Sequence, residues 1–361
     1  MTMTDAPLRF GLVGCGVIAS THADALAALP EGVLVACCDI QPSRAAAFAD
    51  KYGVRAVSWD EMLADPAIDA VSICTPSGLH AEIGARALRA GKHLLVEKPM
   101  DVSLSACDSL AQAAQESGRT LSVVSQHRFD PASVRVKQAM QRGELGALIC
   151  ADARSPWFRT QEYYDSGEWR GTWALDGGGA LMNQGVHTVD LLLWICGPVE
   201  SVYAQTRTLA HARLETEDIA CATLSFANGA VGTLLASTAL FPGFAARLGV
   251  HGARGSAVIE GDTLSLLAVQ GQEMIAGQDA NRHAMQVAQG GTQAATARRA
   301  SSALPPSTLQ WGDAHRAQLA DFIHCCRTGE TPLADARGAR AAVALVLAVY
   351  QSARTGQAVT L

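Results

Sequence analysis

A lysine, an asparagine and a histidine stand in contexts that suit proton transfer from a hydroxyl group. Lys98 follows an apolar run in "HLLVEKPM" (93–100), and Asn183 and His187 lie in "LDGGGALMNQGVHTVD" (175–190). Their four-residue spacing puts Asn183 and His187 on one face of a helix. A histidine with an ordinary pKa of about 6.5 takes up a proton near neutral pH. A lysine ammonium beside it would stabilise the developing alkoxide, while Asn183 would orient the substrate or the imidazole without adding charge.

Three consecutive glycines, Gly177 to Gly179, stand immediately before this predicted helix. Glycine weakens a helix by about 1 kcal/mol relative to alanine, so a run of three indicates a backbone requirement. Because glycine has no Cβ, it lets a helix begin tight against a ligand or a neighbouring backbone. We therefore predict a close approach at this helix start.

Two other interpretations of the same stretch remain open. A metal site would use Asp176, His187 and Asp190, but their spacing matches no common zinc pattern. Alternatively, His187 is a core histidine whose hydrogen bonds are satisfied internally. We favour proton transfer and predict no metal.

Glu97 and Lys98 stand at the carboxyl end of a predicted strand. In a parallel sheet that edge faces the crevice where ligands bind, so a functional pair is favoured over a surface salt bridge. The Lys98-Pro99 bond fixes the turn that follows and is of the type that can be cis.

The string "GLVGCGVIASTH" (11–22) contains a G-x-G-x-x-A pattern between a predicted strand and a predicted helix. This context predicts a dinucleotide site. Gly14 permits the tight turn, Gly16 lets the backbone approach a pyrophosphate, and Ala19 allows close contact between helix and strand. The helix start supplies amide donors and a partial positive charge for the phosphates.

Asp39, at the end of the second predicted strand, indicates which dinucleotide binds. A carboxylate accepts hydrogen bonds from the ribose hydroxyls and repels a 2′-phosphate, so NAD is favoured. Arg44 lies near enough to keep NADP as the less favoured alternative. The predicted cofactor contacts are Gly14, Gly16, Val17, Ile18, Asp39, Thr75, Ser77, His80, Glu97, Lys98 and Gln126.

An aromatic segment, "WFRTQEYYDSGEWRGTWALDGGG" (157–179), lies between these sites. Aromatic faces stack on sugars or bases, and arginine forks bind carboxylate or phosphate. Aromatic clusters serve packing more often than binding, so we expect most of these rings to pack. Tyr163 and Arg170 are the predicted additional substrate contacts, beside Lys98, Asn183 and His187.

Two different sheets must position these residues. Residues 1–126 alternate short apolar runs with helical patterns, which predicts a doubly wound parallel sheet covered on both faces. Residues 127–361 contain period-2 stretches joined by turns such as "FANGAV" and "HGARGSAV", which predict a large, mainly antiparallel sheet with the glycine-led helix at 179–196 packed on it. A loop is expected at 278–306, and two helices at the C-terminus, which could pack back on the first domain.

Composition limits the function classes further. The 361 residues carry a net charge of −6, which argues against general nucleic-acid binding, and contain no apolar run long enough to span a membrane. The N-terminus lacks the pattern of a secretory signal, so we expect a cytoplasmic protein. Ten cysteines form no CxxC pair and are predicted to be thiols in or near the core.

Taken in order, the glycine turn, Asp39, "TPSGLH", "EKP" and "GGGALMNQGVHTVD" resemble the glucose-fructose oxidoreductase/inositol dehydrogenase (Gfo/Idh/MocA) family, from about residue 8 to the end. The resemblance implies a Rossmann domain followed by an α/β domain with a large open sheet, often used for oligomerisation. It implies a homodimer or homotetramer formed through that sheet. It also implies catalysis by Lys98 and His187.

One departure narrows the resemblance. Many members, inositol dehydrogenases among them, carry aspartate where this chain has Asn183. Asparagine there, with "QEYYDSGEWRGTW" and "GPVESV", is similar to the branch that oxidises nucleotide sugars at C3, the UDP-N-acetylglucosaminuronate 3-dehydrogenases. We therefore predict an NAD-dependent dehydrogenase for a sugar or nucleotide sugar. The alternatives are an inositol or free-sugar dehydrogenase and a non-catalytic regulator that senses the cofactor.

Overall fold

The computed structural model describes residues 6–271, 275–276 and 312–361, which divide into two compact units. The first unit comprises Met1–Gln126, Glu168–Gly178 and Gln310–Val343. The second comprises His127–Gly167, Gly179–Leu309 and Ala344–Leu361. One boundary therefore follows residue 126, but neither unit is a single stretch of chain. The loop expected at 278–306 lies outside the described residues.

Six parallel strands form the sheet of the first unit, in the spatial order β3-β2-β1-β4-β5-β6. The strands are β1 (Leu8–Val13), β2 (Gly32–Cys38), β3 (Arg55–Ala56), β4 (Ala70–Ile73), β5 (His93–Val96) and β6 (Leu121–Val123). The helices between them are α1 (Val17–Ala27), α2 (Pro42–Tyr52), α3 (Trp59–Ala64), α4 (His80–Arg89) and α5 (Leu104–Ser117). The order reverses between β1 and β4, so the predicted doubly wound sheet is confirmed.

Local sequence signals mark the ends of two helices and the start of a third in the first unit. α2 and α5 stop at Gly53 and Gly118, which adopt left-handed φ angles of 67° and 62°. α3 starts with a capping box, in which Ser58 and Glu61 satisfy each other's backbone amides. All four residues of β4 are buried, as expected for a strand covered on both faces. Because the six strands are parallel, their carboxyl ends, next to which the predicted cofactor contacts lie, meet at one edge of the sheet.

The second unit contains a nine-stranded sheet in the order β14-β13-β12-β11-β7-β10-β9-β8-β15. Its elements up to β14 are α6 (Pro131–Gln141), β7 (Leu148–Pro156), α7 (Gln161–Asp165), α8 (Val186–Cys196), β8 (Val199–Arg207), β9 (Ile219–Phe226), β10 (Val231–Ser237), β11 (Arg247–Gly252), β12 (Gly255–Glu260), β13 (Thr263–Val269) and β14 (Ile275–Ala276). β7 and β10 are parallel and the other pairs are antiparallel, so the mainly antiparallel sheet is confirmed.

Side chains alternate between the two faces of this sheet. Along β9, Ala222, Leu224 and Phe226 are buried, whereas the residues between them are exposed. The prediction that every cysteine lies in or near the core is therefore wrong for Cys221, which is exposed. Its apolar sequence neighbours concealed the two-residue period that turns it to the open face. All ten cysteines are free thiols.

The C-terminal residues form α9 (Asp313–Thr328), α10 (Ala336–Thr355) and the short strand β15 (Val359–Thr360). Phe322 of α9 packs against Phe10 of β1 with ring centroids 6.0 Å apart, inside the same core cluster as Leu95 of β5. Beyond α9, the backbone carbonyl of Ala334 accepts a hydrogen bond of 3.1 Å from Val123 on the edge strand β6. Within the described ranges, no helix combines the length and apolarity that crossing a bilayer requires.

Candidate active site

The glycine turn after β1 has the geometry that its sequence predicted. Gly14 has a φ angle of 87°, and its amide donates to the carbonyl of Cys38 at 2.9 Å. A Cβ on Gly14 would lie 2.8 Å from the carbonyl oxygen of Cys74, so only glycine fits. A Cβ on Gly16 would meet nothing within 4 Å. The backbone at Gly16 is therefore open to the approach of a phosphate.

Asp39 ties the end of β2 to this turn. Its Oδ2 accepts a hydrogen bond from the Cys15 amide and its Oδ1 accepts one from the Gln41 amide, both at 2.8 Å. A carboxylate offers about four lone-pair sites, so capacity for ribose hydroxyls remains. Val17 and Ile40 beside it are 91% and 98% exposed, which leaves apolar surface for a nucleobase to cover. These residues fit a dinucleotide.

Buried polar atoms with no partner also fit a bound cofactor. Thr75 Oγ1 and Gln126 Oε1 are buried and have no hydrogen-bond partner among the described residues. Such atoms are rare in native proteins and call for a ligand or an ordered water. Ser77 is buried in the turn after β4, and Ile18 packs against the core beneath α1. Ile18 therefore offers a backbone amide rather than a side chain.

His80, a predicted cofactor contact, contacts the turns that follow β4 and β5. Its Nδ1 lies 2.8 Å from the carbonyl oxygen of Pro99, and its Nε2 lies 2.9 Å from that of Thr75. Burial lowers the pKa of His80, although both carbonyls oppose this. Because both ring nitrogens face the main chain, these contacts support a role in holding the turns after β4 and β5 together.

Glu97 lies beneath Lys98 at the end of β5. Its Oε1 is 2.8 Å from His22 Nε2, and its Oε2 accepts a hydrogen bond of 3.1 Å from the Lys98 amide. His22 Nδ1 is in turn 2.8 Å from Ser72 Oγ. Burial raises the pKa of Glu97, but the His22 hydrogen bond and nearby positive charges together bring it to about 2. These contacts support a role in holding the Lys98 backbone.

In the part of the chain that the structure describes, residues of the kind that bind metals form hydrogen bonds and ion pairs with other side chains. His22, Glu97 and His315 place ligand-type atoms within 4.8 Å of one another. However, the 2.8 Å separation of the His22 and Glu97 atoms is that of a hydrogen bond. In the alternative set from the sequence, Asp190 forms a buried ion pair with Arg128 at 2.6 Å.

Lys98 is half-buried among charged residues of its own unit. Burial lowers its pKa below the ordinary value, Glu97 and Asp176 raise it, and Arg170 lowers it further. The Arg170 guanidinium lies 4.6 Å from the centroid of the Trp169 ring. Arg170, predicted to bind substrate, thus belongs to the same electrostatic group as Lys98.

The segment 168–178 carries Asp176 and Arg170 into the first unit. Gly78 donates to the carbonyl of Leu175 at 2.9 Å, and a Cβ on Gly78 would lie 2.1 Å from the Ala174 carbonyl oxygen. The carboxylate of Asp176 accepts a hydrogen bond of 2.8 Å from the Gly171 amide. Gly177 has a φ angle of 77°, which favours glycine there.

In the second unit, the glycine-led helix begins as one π-helical turn, Ala180–Gly185, which continues into α8. The sequence predicted a single helix over 179–196, and periodicity did not distinguish the two forms. A Cβ on Gly179 would lie 1.8 Å from the carbonyl oxygen of Glu217. The close approach that the glycines predicted is therefore to a neighbouring backbone. π-Turns are frequent at functional sites.

Asn183 belongs to a polar chain that includes Tyr163. The Gln184 side-chain nitrogen donates to Asn183 Oδ1 at 2.8 Å and to the Tyr163 hydroxyl at 3.0 Å. Gln184 Oε1 accepts a hydrogen bond of 3.0 Å from Arg159, whose guanidinium lies 5.4 Å from the centre of the Tyr163 ring. Two predicted substrate contacts are thus coupled through a residue that the sequence analysis missed.

His187 is half-buried, and its ring meets that of His127 edge to face, with centroids 5.2 Å apart. His127 Nδ1 lies 2.7 Å from Asp130 Oδ2. His127 was not among the predicted site residues, although its neighbour Gln126 was. The position of His127 just after β6, among the polar residues "QHRFD", was the signal that could have identified it.

Family models match most of both units. The model described as "Oxidoreductase family, NAD-binding Rossmann fold" matches residues 8–125, and "GFO/IDH/MocA C-terminal domain" matches residues 133–258. Inositol 2-dehydrogenase of Rhizobium meliloti is 30% identical over 70% of this chain and 76% of its own length. D-glucoside 3-dehydrogenase of Escherichia coli is 30% identical over 66% of this chain and 72% of its own length.

A solved structure extends the similarity to nearly the whole chain. The WlbA dehydrogenase of Bordetella pertussis, in complex with NADH and UDP-GlcNAcA, is 34% identical, and the similarity covers 99% of each chain. The TM-score is 0.85. This level of likeness covers the cofactor turn, the Lys98 segment and the glycine-led helix together.

Proposed function

The chain belongs to the Gfo/Idh/MocA family of NAD-binding oxidoreductases, and from this premise we propose that it oxidises a nucleotide sugar, at C3 of a UDP-N-acetylhexosaminuronate. The observation that carries the proposal is the similarity over 99% of the chain to a dehydrogenase in complex with NADH and UDP-GlcNAcA. Asn183, which replaces the aspartate of many inositol dehydrogenases, also supports it.

In this proposal the first unit binds the cofactor and stabilises negative charge. NAD, when bound, would supply the hydride acceptor, its nicotinamide ring. Gly16 and the start of α1 would hold the pyrophosphate, and Asp39 would hold the ribose. The Lys98 ammonium stabilises the alkoxide that develops on the substrate oxygen. Burial lowers the pKa of Lys98 towards neutral pH, which makes proton exchange by its ammonium group easier.

The second unit supplies the proton acceptor. The His187 imidazole takes the proton from the substrate hydroxyl, and Asn183 orients the substrate. Tyr163 contacts the sugar, coupled to Asn183 through Gln184. Arg170, with Trp169 behind its guanidinium, binds the substrate's carboxylate or phosphate.

A substrate panel tests the proposal. Purified protein with NAD would be offered UDP-GlcNAcA, UDP-GlcNAc, myo-inositol and a glucoside, and NADH formation would be followed by absorbance. We expect the highest kcat/KM for UDP-GlcNAcA, and a kcat lowered by about 10²- to 10⁴-fold in Lys98→Ala. A preference for inositol or glucoside would support the second candidate, which the two 30%-identical relatives favour. NADH binding without turnover of any compound would support the cofactor-sensing regulator.

We also propose a homodimer or homotetramer in the cytoplasm. The open face of the second sheet exposes the side chains of Tyr203 and Val231, at 45% and 57%. Ten free thiols suit a reducing compartment. Light scattering after size exclusion should give a multiple of the 37.7 kDa chain, and Val231→Glu should reduce it.

A further inference from the structure

Glu217 is a buried residue, 4% exposed, just before β9 in the second unit. Its Oε2 accepts a hydrogen bond of 3.0 Å from the Gly179 amide, and its Oε1 accepts one of 2.7 Å from the Leu181 amide. The first amides of a helix have no partner within the helix. The Glu217 carboxyl group therefore caps the turn that carries Asn183.

Tyr350 of α10 extends this cap by one residue. Its hydroxyl accepts a hydrogen bond of 3.2 Å from the Met182 amide and donates one of 3.0 Å to Glu217 Oε1. Tyr350 is 2% exposed, so neither bond competes with bulk water. The C-terminal helix and Glu217 together anchor the start of the π-turn.

The backbone of Glu217 meets the same turn. Its carbonyl oxygen accepts a hydrogen bond of 3.0 Å from the Ala180 amide. That oxygen is also the atom that a Cβ on Gly179 would approach to 1.8 Å. One residue thus uses main chain and side chain to determine where the polar helix begins.

We propose that Glu217 is a positioning residue for Asn183 and His187, because it fixes the start of the helix that carries both. The inference rests on the proposed function, which makes His187 the proton acceptor. Asn183 lies two residues after the capped Leu181 amide, and His187 follows four residues later on the same helical path. A shift of about 1 Å in such a group is enough to reduce turnover by about 10²-fold.

The proton state of Glu217 decides how firmly the cap holds. A carboxylate accepts all three hydrogen bonds, whereas a protonated oxygen presents a donor among donors and weakens the arrangement. Burial raises the pKa of Glu217 to about 7, against the backbone amides and Tyr350, which lower it. We therefore expect positioning to improve as pH rises through about 7.

The pKa of Glu217 is set by burial and by the hydrogen bonds of the cap, and nearby charged groups have partners of their own. Asp218, the next residue, directs its carboxylate to the amides of residues 209–211 and to the ring of His211. On α8, Asp190 is paired with Arg128. Tyr350 donates a hydrogen bond to Glu217. Other titratable side chains on the neighbouring elements include Asp218, His211, His187 and Asp190.

Kinetics of two variants test the inference, with NAD and UDP-GlcNAcA as probes. In Glu217→Gln we expect kcat to fall by about 10- to 100-fold and the part of the pH profile that is due to Glu217 to be lost, leaving the inflection of the proposed base His187, with KM for NAD unchanged. In Tyr350→Phe the part that is due to Glu217 should move to higher pH, since the hydroxyl that lowers the Glu217 pKa is lost. Glu82→Gln, at an exposed site on α4, is the matched control. A wild-type pH profile in Glu217→Gln would overturn the inference.

Hydrogen exchange of the amides of 179–187 tests positioning without any substrate. Exchange should be faster in Glu217→Gln and Tyr350→Phe than in wild type at the same pH, and unchanged in Glu82→Gln. If wild type does not oxidise UDP-GlcNAcA but exchange responds, the proposed function fails and the positioning role stands. If wild type oxidises it and exchange does not respond in either variant, the positioning role is refuted.

Discussion

Each unit contains one buried glutamate beside residues predicted to act in catalysis, Glu97 next to Lys98 in the first unit and Glu217 at the start of the helix that carries Asn183 and His187 in the second. They are 6% and 4% exposed, and each accepts a hydrogen bond from the backbone of a segment that carries a predicted catalytic residue. Their pKa values nevertheless move in opposite directions, to about 2 and about 7. Burial alone therefore does not decide the charge of a carboxyl group in this protein.

The partners explain the difference. Glu97 faces the imidazole of His22 at 2.8 Å and has the charges of Lys98 and His315 nearby, so the anion is favoured despite burial. Glu217 faces backbone amides and a tyrosine hydroxyl, which carry no net charge and offset burial incompletely. The surroundings of Glu97 thus favour the charged carboxylate next to Lys98, whereas burial raises the pKa of Glu217 to about 7.

The largest expected effects concern the groups that the two glutamates support. Lys98→Ala and His187→Ala should each lower kcat by about 10²- to 10⁴-fold, because the proposed mechanism assigns the alkoxide to Lys98 and the proton to His187. NAD affinity, measured by fluorescence titration, should persist in both. Near-wild-type turnover in either variant would contradict the role proposed for the residue that was replaced.

Removing the two glutamate charges should affect stability unequally. Glu97→Gln breaks a buried pair and should cost about 3 kcal/mol or more. Glu217→Gln should cost much less, because the partners of Glu217 are backbone amides and a tyrosine hydroxyl and no buried charge is left without its partner. Glu97 contributes stability above its ordinary pKa of 4.5, and this is lost as pH falls towards 2. The Glu217 contribution is present below 4.5 and is lost as pH rises through about 7.

Urea midpoints measured on both sides of pH 7 check these signs. Glu217→Gln should gain stability relative to wild type as pH rises, and Glu97→Gln should not. Equal losses in the two variants at every pH would contradict the account based on partners.

Glycine substitutions sharpen the same contrast between the units. Gly179→Ala forces a Cβ to within 1.8 Å of the Glu217 carbonyl oxygen and should cost about 1–3 kcal/mol. Gly16→Ala meets nothing within 4 Å and should leave stability within about 0.5 kcal/mol while weakening NAD binding. Thermal unfolding and NAD titration of both variants would show whether the two glycines serve packing and ligand approach respectively.

The smallest expected effect is on cofactor choice. Asp39→Asn keeps the side chain's shape, so one of its hydrogen bonds to the amides of Cys15 and Gln41 should survive. Loss of the negative charge should reduce the preference for NAD over NADP by about tenfold or less, which is about 1.4 kcal/mol. An unchanged ratio of kcat/KM values would show that Asp39 does not contact the ribose.

The features that local pattern determines could be predicted from the sequence. The glycine turn, the strand ends at Asp39 and Glu97 and the alternation of the second sheet each depend on neighbouring residues, and all are present in the structure. The glycines before Asn183 correctly predicted a close approach, since a missing Cβ is visible in sequence.

The residues that support the site could not be predicted, because their contacts join distant parts of the chain. Glu217 lies 38 positions from Gly179 and 133 from Tyr350. His22 meets Glu97 across 75 positions. No spacing rule links such residues, and buried glutamates look like surface ones in a sequence. The assignment of Glu168–Gly178 to the first unit could not be predicted either, because it too depends on contacts with distant parts of the chain.

The edge of the cofactor sheet has a consequence for synthesis of the chain. Strand β6 is made early, but the groups that cover it, Ala334 and the side chain of Gln318, belong to the C-terminal part. While the ribosome is still translating the second sheet, that edge has no cover and is open to pairing with other nascent chains. A message truncated after residue 126 would therefore yield an aggregating fragment rather than an isolated cofactor domain.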